Sequence, residues 1–253
     1  MNEFKISTFL PFTLFSYFRH MSLPYFFEPF ESSDIIVLSE ANMHYMMHVL
    51  RMKVGEQCWI TNGKGIRCLA TITSASKRSC TITSGECIQS FTPPSSLHLA
   101  IAFTKNPARI EWLLEKATEV GIGYITPLIT HRSEKIHWKQ ERYEKILTAA
   151  MLQSQQTWLP VLNEATRLEN LITCDADIKC IAWCEEHNDK NALLLHIQND
   201  KKTIILVGPE GDFTSDEVHL CMQHGFKPVS LGSNRLRTET AGLYACVVYN
   251  SLI

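Results

Sequence analysis

The stretch TIILVGPEGDFTSDEV, residues 203–218, determines the fold class of this chain. Its first five residues are apolar or β-branched throughout, which is typical of a strand buried on both faces of a sheet. A turn with two glycines follows, and Thr214 and Glu217 then have the spacing of a capping box at the start of a helix. A buried strand that leads through a glycine turn into a helix predicts an α/β domain.

Strand and helix patterns alternate through the rest of residues 97–253. Strands are predicted at LHLAIAF (97–103), YITPLIT (124–130), IKCIAWC (178–184) and FKPVSLG (226–232). Asn106-Pro107 supplies an N-cap and a proline at the first position of a helix, and Gly121 ends that helix. Residues 138–155 predict a second long helix with one apolar face. Together these patterns predict a largely parallel sheet covered by helices.

Residues 21–90 have a different pattern, with short strands and close turns. A short helix is predicted over residues 42–55, ending at a glycine. Asn62-Gly63 separates two alternating runs, and a second pair of runs flanks residues 76–78, so two hairpins are predicted. These features predict a small, mostly β barrel. Pro93-Pro94 predicts a linker between this barrel and the α/β domain.

The composition is that of an ordinary globular protein, with 45% hydrophobic and 20% charged residues and a formal net charge of −2. That charge does not favour a nucleic-acid partner. However, six basic residues lie between positions 51 and 78 against a single acid, Glu56. This cluster indicates either a phosphate-facing patch or a solvated surface whose acids lie elsewhere. The six are Arg51, Lys53, Lys64, Arg67, Lys77 and Arg78.

The nine cysteines are irregularly spaced and include no C-x-x-C pair, so neither a zinc site nor a thioredoxin-like motif is indicated. We expect reduced, mostly buried thiols in a cytoplasmic protein. The apolar run within residues 1–20 is too short to span a bilayer and lacks the flanks of a signal peptide. We therefore predict that residues 1–20 are a disordered extension, and that the protein has no membrane span and no metal site.

The glycine turn at residues 208–211 is the first loop that carries candidate chemistry. It lies at the carboxyl end of a predicted strand, where α/β proteins bind ligands. Its glycines allow a ligand to approach the backbone closely. Neither G-x-x-x-x-G-K-[ST] nor G-x-G-x-x-G is present, so a nucleotide-phosphate loop is not indicated. The alternative is a plain strand–helix turn without a ligand.

The second candidate loop is LGSNRLRTETA, residues 231–241, which leads into an apolar final helix. Thr238 is a candidate N-cap, and Glu239 suits the positive end of the helix dipole. Capping does not explain Arg235 and Arg237. Because arginine is seldom buried without a partner, we expect one of them to pair with Glu239 or with Glu210 of the first loop.

The two loops together resemble the RsmE family of ribosomal RNA methyltransferases, within the SPOUT superfamily. LVGPEGDF (206–213) and LGSNRLRTETA (231–241) are specific as a pair. FTKNPARIEWLLEKATEVGIGYITPLIT (103–130), QSQQTWLP (153–160) and HVLRMKVGE (48–56) are also similar to the family's sequence. The resemblance covers roughly residues 21–253.

This resemblance implies a SPOUT-type α/β domain over residues 97–253, with a parallel sheet and a deep trefoil knot, preceded by a PUA-like RNA-binding β-barrel over residues 21–90. It implies a homodimer that binds S-adenosylmethionine and methylates N3 of a uridine in 16S rRNA of the small ribosomal subunit. The implied cofactor-binding residues are Val207, Gly208, Pro209, Glu210, Gly211, Leu231, Gly232, Leu236, Arg237, Thr238, Thr240 and Ala241. RNA contacts are expected from the six basic residues named above and from Lys105.

Methyl transfer from a sulfonium to nitrogen needs neither a metal nor a covalent nucleophile. It needs in-line positioning and loss of the N3 proton. We therefore expect Arg237 and Glu239 to be catalytic. Arg237 would stabilise the uracil anion or hold phosphate, and Glu239 would orient it or accept the proton. Glu210 is the second candidate base, and the weaker candidates are His131, His137 and His196.

Some positions depart from the family's common residues. Asp212 stands in place of glycine, Gln156 in place of arginine, Leu152 in place of glutamate, and Ser233-Asn234 in place of Pro-Arg. The glycines that would admit the cofactor, Gly208, Gly211 and Gly232, are all present. Two alternatives stay open: a SPOUT methyltransferase that acts on another RNA, and a non-catalytic RNA-binding protein on a decayed methyltransferase scaffold.

Overall fold

The computed structural model of the protein describes residues 23–31, 35–76, 78–90, 95–134, 138–185, 190–198 and 201–252. The chain divides between Gln89 and Ser90 into two compact units. The predicted extension, residues 1–20, lies outside the described residues, as does Pro93-Pro94 of the predicted linker. Within the described ranges, no helix is long and apolar enough to cross a membrane.

The first unit contains a five-stranded sheet in the order β1-β3-β4-β5-β2. Its strands are β1 Tyr25–Phe27, β2 Ile35–Val37, β3 Gln57–Thr61, β4 Ile66–Ala75 and β5 Cys80–Gln89. β1 is parallel to β3, and the other neighbouring strands are antiparallel. One face of the sheet packs into the core of the unit, where Ile60, Ile72 and Ile82 are fully buried.

The predicted hairpin at Asn62-Gly63 is confirmed between β3 and β4. The side-chain oxygen of Asn62 accepts hydrogen bonds from the backbone N–H groups of Lys64 and Ile66. Gly63 has φ 69°, a left-handed conformation that glycine adopts without steric cost. The second predicted hairpin is also confirmed, since β4 pairs with β5 down to Ala75 and Cys80.

The helix of the first unit is shorter than predicted. Helix α1, Glu40–His44, continues as a π-helical turn, Tyr45–Val49, which closes with a hydrogen bond from the Leu50 N–H to the Tyr45 carbonyl. Arg51 has φ 57°, and this left-handed conformation ends the helical run. The predicted end at Gly55 is therefore wrong, because that glycine lies in the turn that precedes β3.

The expectation that all nine cysteines are reduced is also wrong. Cys68 on β4 and Cys87 on β5 lie directly opposite each other and form a disulfide. The pairing depends on the register of two strands, which spacing along the chain does not reveal. The other seven cysteines are free, and Cys58, Cys180 and Cys221 are among those that are buried as expected.

The second unit contains a parallel sheet in the order β11-β13-β10-β12-β6-β7-β8, with β9 paired to β7. Its strands are β6 Leu97–Ile101, β7 Tyr124–Ile129, β8 Val161–Leu162, β9 Thr166–Arg167, β10 Ile178–Ala182, β11 Asn191–Ala192, β12 Thr203–Val207 and β13 Lys227–Ser230. Every pairing described for this sheet is parallel. The predicted α/β fold with a parallel sheet is confirmed.

Helices cover both faces of this sheet. They are α2 Pro107–Glu119, α3 Gln140–Gln153, α4 Leu168–Leu171, α5 Ser215–Gln223 and α6 Thr238–Asn250, together with a 3₁₀ turn at Leu193–Leu195. Alternate residues of β12 enter two separate cores. Ile205 and Val207 belong to the core formed with α2, α3 and α6, whereas Ile204 and Leu206 belong to the core formed with α4 and α5. This division explains why β12 is apolar throughout.

The predicted start and end of α2 and the predicted start of α5 are confirmed. Asn106 caps α2 through a hydrogen bond from the Ala108 N–H, and Gly121, with φ 87°, follows its last turn. Thr214 and Glu217 form the capping box of α5. The final helix, α6, is buried on one side only, since Tyr244 is 43% exposed and Val247 is 45% exposed.

Candidate active site

The two candidate loops lie at the same edge of the parallel sheet. One loop follows β12 and the other follows β13, and β10 lies between these two strands. Because parallel strands end at a common edge, both loops emerge on that side. The Thr238 hydroxyl donates a hydrogen bond to the Gly208 carbonyl oxygen at 3.2 Å. The structure thus joins the two loops that the sequence places thirty residues apart.

The first loop is held in shape by contacts around its glycines. A Cβ atom at Gly208 would lie 3.1 Å from the ring of Phe213, which is tighter than an ordinary contact. The guanidinium of Arg132 donates to the Gly211 carbonyl oxygen at 2.6 Å. These contacts leave little room for a larger residue at Gly208 and fix the backbone of the loop.

The second loop turns at Gly232, which has φ 117° and open space where a side chain would lie. Leu231 and Leu236 are half-buried and pack against the core that contains Val207 and Ala241. The loop therefore has an apolar side attached to the core and an open backbone at its glycine. Such a surface suits a ligand with an apolar ring.

The predicted N-cap at Thr238 is wrong by one residue. Arg237 is the N-cap of α6, without a hydrogen bond from its side chain, and Thr238 is the first helical residue. The reason is that the Thr238 hydroxyl is engaged by Gly208 instead of by the end of its own helix. Thr238 is buried, whereas Arg237 and Thr240 are exposed.

Arg109 pairs with both glutamates of the site. Its Nε lies 3.6 Å from Oε1 of Glu239, and one terminal nitrogen lies 3.9 Å from Oε1 of Glu210. The expected pairing with Arg235 or Arg237 is wrong, because Arg235 donates to the backbone carbonyl of Glu210 and neither arginine forms an ion pair with a carboxylate of the described residues.

Sequence reasoning missed Arg109, although a signal was present. The residue lies in the first turn of α2, where the helix dipole disfavours a positive charge. An arginine at that position indicates a partner outside the helix. The partners come from two other elements at the same edge of the sheet, which only the tertiary structure brings together.

Glu239 is buried, with only 6% of its surface exposed. Its Oε1 faces Arg109, whereas its Oε2 is buried and has no hydrogen-bond partner among the described residues. The hydroxyl of Thr104, just after β6, is also buried without a partner there. Leaving a buried carboxylate oxygen unpaired is energetically costly, so such an atom is a candidate contact for a ligand.

The other candidate bases are placed less favourably. The carboxylate of Glu210 is about half exposed. His131 is exposed, and its backbone N–H donates to Glu217. Burial and the nearby Lys227 lower the pKa of His196. His137 lies outside the described residues.

Residues 92–250 match the family model of an RNA methyltransferase domain, and residues 38–83 match that of an RNA methyltransferase PUA domain. The Ribosomal RNA small subunit methyltransferase E of Rickettsia conorii is 31% identical over 219 residues, which make up 85% of this chain and 88% of that relative. The chain belongs to the RsmE family of RNA methyltransferases. The corresponding relative from Bacillus subtilis is 27% identical and covers 85% of this chain and 89% of its own length.

Solved structures agree with the RsmE assignment. A probable rRNA-methyltransferase from Porphyromonas gingivalis is 35% identical, with a TM-score of 0.85 over 91% of this chain and 98% of that one. A methyltransferase from Legionella pneumophila, solved with bound S-adenosylmethionine, is 28% identical, with a TM-score of 0.77 over 90% of this chain and 97% of that one. The resemblance found in the sequence is thereby confirmed.

Two departures from common RsmE residues have a structural explanation here. Asp212 has φ 61°, a left-handed conformation that suits glycine and that aspartate tolerates. Its carboxylate accepts hydrogen bonds from the backbone N–H groups of Phe213 and Cys184. The Gln156 side chain donates to the carbonyl oxygens of Thr118 and Glu119 and so caps the end of α2.

The basic residues assigned to RNA binding do not form one compact cluster. Lys64 lies in the hairpin before β4 and Arg78 lies after its other end, so about ten residues of strand, roughly 30 Å, separate them. The guanidinium of Arg67 lies over the ring of Trp59, 5.1 Å from its centroid. Arg51, Lys53, Lys64 and Arg78 are exposed, and Lys77 lies outside the described residues. Lys105 belongs to the second unit and pairs with Glu134.

Proposed function

We propose that this RsmE-family protein transfers a methyl group from S-adenosylmethionine to N3 of a uridine in 16S rRNA of the small ribosomal subunit. The observation that carries the proposal is the junction of the two glycine loops by Thr238 and Gly208 at the carboxyl edge of the sheet. The relatives named Ribosomal RNA small subunit methyltransferase E support the substrate class. The Legionella structure with its bound cofactor supports the methyl donor.

The residues of the two loops fit S-adenosylmethionine. Gly232 offers open backbone, and Leu231, Leu236 and Ala241 offer an apolar surface for the adenine ring. We propose that the cofactor is held by Val207, Gly208, Pro209, Glu210, Gly211, Leu231, Gly232, Leu236, Arg237, Thr238, Thr240 and Ala241. When bound, the cofactor supplies a methyl group on sulfur: N3 of uracil bonds to the methyl carbon, and the electron pair of the breaking C–S bond moves to sulfur.

The protein's own task in this reaction is to receive a proton and to stabilise charge. We propose that Oε2 of Glu239 accepts the N3 proton, because this buried oxygen has no donor among the described residues. The exposed Arg237, at the start of the same helix, is free to contact the uracil oxygen or a phosphate. Glu210 remains the second candidate for the base.

We propose that the first unit is a PUA-like barrel that holds the RNA through its basic residues. Arg51, Lys53, Lys64, Arg67 and Arg78 would contact phosphates, and Trp59 with Arg67 presents a flat surface on which a base can stack. Lys105 would add a contact from the second unit after release from Glu134. Binding through phosphates weakens steeply with salt, so the affinity for RNA is expected to fall as ionic strength rises.

We also propose that the protein acts in the cytoplasm as a homodimer whose α/β domain contains a deep trefoil knot, as its family implies. The exposed apolar face of α6, with Tyr244 and Val247, supports the dimer, because a partner that covers this face would remove apolar surface from water. A Val247→Glu protein is expected to sediment as a monomer where the wild type sediments as a dimer. A wild-type monomer at micromolar concentration would contradict the dimer.

The function is tested by incubating the purified protein with S-adenosylmethionine and small ribosomal subunits from a strain that lacks this gene, followed by mass mapping of the 16S rRNA. One uridine is expected to gain a methyl group at N3. Methylation of a different RNA would favour a SPOUT methyltransferase that acts on another RNA. Absence of cofactor binding in calorimetry, together with absence of methylation, would favour a non-catalytic RNA-binding protein on a decayed methyltransferase scaffold.

A matched pair of glycine variants provides the control. Gly232 and Gly121 both have left-handed backbone, with φ 117° and 87°, and both have open space where a Cβ would lie. Alanine is therefore strained similarly at either position. Gly232→Ala is expected to weaken cofactor binding, whereas Gly121→Ala is expected to leave it unchanged. Equal losses would indicate that Gly232 acts only through stability.

A further inference from the structure

The two carboxylate oxygens of Glu239 have different surroundings. Oε1 lies 3.6 Å from Nε of Arg109, and Oε2 is buried without a partner among the described residues. Arg109 is itself held from a second direction by Glu210, at 3.9 Å. The arginine therefore engages one oxygen of the buried carboxylate and leaves the other available to a hydrogen-bond donor.

We propose that Arg109 is a positioning residue for methyl transfer, one that balances the charge of the Glu239 carboxylate and orients it so that Oε2 receives the N3 proton of uracil. This inference rests on the proposed function. A carboxylate that is 94% buried loses most of its hydration, and a neighbouring guanidinium is the usual compensation for that loss. Arg109 supplies that charge to Oε1.

The arrangement also explains why a positively charged residue stands at an unfavourable position of a helix. Arg109 lies in the first turn of α2, where the helix dipole repels a cation. Its two carboxylate partners lie in the loop after β12 and at the start of α6. One side chain therefore links the elements that follow β6, β12 and β13, so that the position of Glu239 depends on all three.

The proton balance of the step is simple. As N3 bonds to the methyl carbon, its proton passes to Oε2, and Glu239 becomes neutral while the sulfonium becomes a thioether. Arg109 takes no part in the proton transfer and stays paired with Oε1. Release of the methylated RNA allows Glu239 to return its proton to water.

The test uses steady-state kinetics of the full-length protein with small ribosomal subunits, together with calorimetry of S-adenosylmethionine binding. Arg109→Gln, which removes the charge but keeps most of the length, is expected to lower kcat roughly 10–100-fold, as a displaced catalytic group does. The KM for small ribosomal subunits and the affinity for S-adenosylmethionine are expected to change by no more than about twofold. Arg109→Lys, which keeps a cation, is expected to recover part of the lost rate.

A double variant separates positioning from a general structural effect. If Arg109 acts through Glu239, the protein with both Arg109→Gln and Glu239→Gln is expected to be no slower than Glu239→Gln alone. Losses that multiply in the double variant would overturn the proposal, and so would a wild-type kcat in Arg109→Gln. Cofactor binding by each variant shows that its loops are folded.

Arg142→Gln is the matched control, because Arg142 also forms an ion pair with a glutamate of α2, Glu111, but lies on α3 instead of at the sheet edge. Its kcat is expected to equal that of the wild type, and an equal fall in both arginine variants would contradict a specific role for Arg109.

The proposed function and the role of Arg109 can fail separately. Wild-type protein that methylates no RNA removes the proposed function, whereas an active wild type with an equally active Arg109→Gln removes only the role of Arg109.

Discussion

The hydroxyl of Thr238 donates a hydrogen bond to the carbonyl oxygen of Gly208, and this contact joins the loop after β12 to the start of α6. Both residues are buried. The contact makes one loop depend on the other, although each follows its own strand. It also explains why a threonine stands at a helix start that it does not cap.

Loss of this hydroxyl is therefore expected to weaken cofactor binding. Thr238→Val keeps the shape of the side chain but leaves the Gly208 carbonyl without its donor, at a cost of about 0.5–1.5 kcal/mol, which corresponds to a roughly 2–10-fold weaker affinity for S-adenosylmethionine. Calorimetry measures the change. Thr238→Ser keeps the hydroxyl and is expected to bind nearly as well as the wild type. A wild-type affinity in Thr238→Val, with weakening only in Thr238→Ser, would show that the methyl group, not the hydroxyl, matters.

The aspartate in the first loop is expected to stabilise the fold. Asp212→Ala places a residue without a hydrogen-bonding side chain at φ 61° and removes the acceptors of the Phe213 and Cys184 N–H groups. We expect the free energy of unfolding to fall by about 1–3 kcal/mol, measured by urea denaturation. Asp212→Gly relieves the backbone strain but still lacks the acceptors, so its free energy of unfolding is expected to fall by less. A glycine variant as unstable as the alanine variant would show that backbone strain is unimportant.

Gly242 sets the distance between α6 and the sheet. A Cβ at this position would lie 2.5 Å from Cδ1 of Ile101 and 3.3 Å from side-chain atoms of Leu99 and Leu113. Gly242→Ala is therefore expected to reduce the free energy of unfolding by about 1–3 kcal/mol, despite the better helix propensity of alanine. Thermal and urea unfolding measure the loss.

Removal of the obstructing methyl group is the control for this prediction. Ile101→Val deletes Cδ1, so in its presence Gly242→Ala is expected to destabilise the protein by less than it does alone. If the two losses simply add, the overlap with Ile101 is not the cause.

Cysteine labelling tests both the disulfide and the buried thiols. Burial raises the pKa of Cys58, Cys180, Cys221 and Cys246 to about 12. At pH 8 these thiols stay protonated in the folded protein, so iodoacetamide is expected to leave them unmodified.

Unfolding without a reductant exposes every free thiol. Of nine cysteines, two form the disulfide, so seven are expected to be alkylated in the unreduced chain and nine after reduction. Mass spectrometry counts the adducts. Nine adducts before reduction would show that Cys68 and Cys87 are unpaired under the conditions of purification.

The sequence by itself determined the main strands and helices of the α/β domain and the hairpins of the first unit. Its apolar β12, its capping box at Thr214 and its Asn-Pro helix start are local signals, because each depends on residues within one turn or one strand. The same holds for the hairpin at Asn62-Gly63. The two glycine loops were also recognisable, since their spacing and composition are local properties of the chain.

Only the tertiary structure decided which side chains meet. The partner of Glu239 is Arg109, from a helix 130 positions earlier in the sequence (239 minus 109), and not one of the arginines beside it. Cys68 meets Cys87 because of strand register, and Thr238 bonds to Gly208 instead of capping its helix. In each case the deciding interaction joins residues from different elements, which strand register in the first unit and the packing of the parallel sheet and its helices in the second bring together. This is a long-range effect that local sequence patterns do not encode.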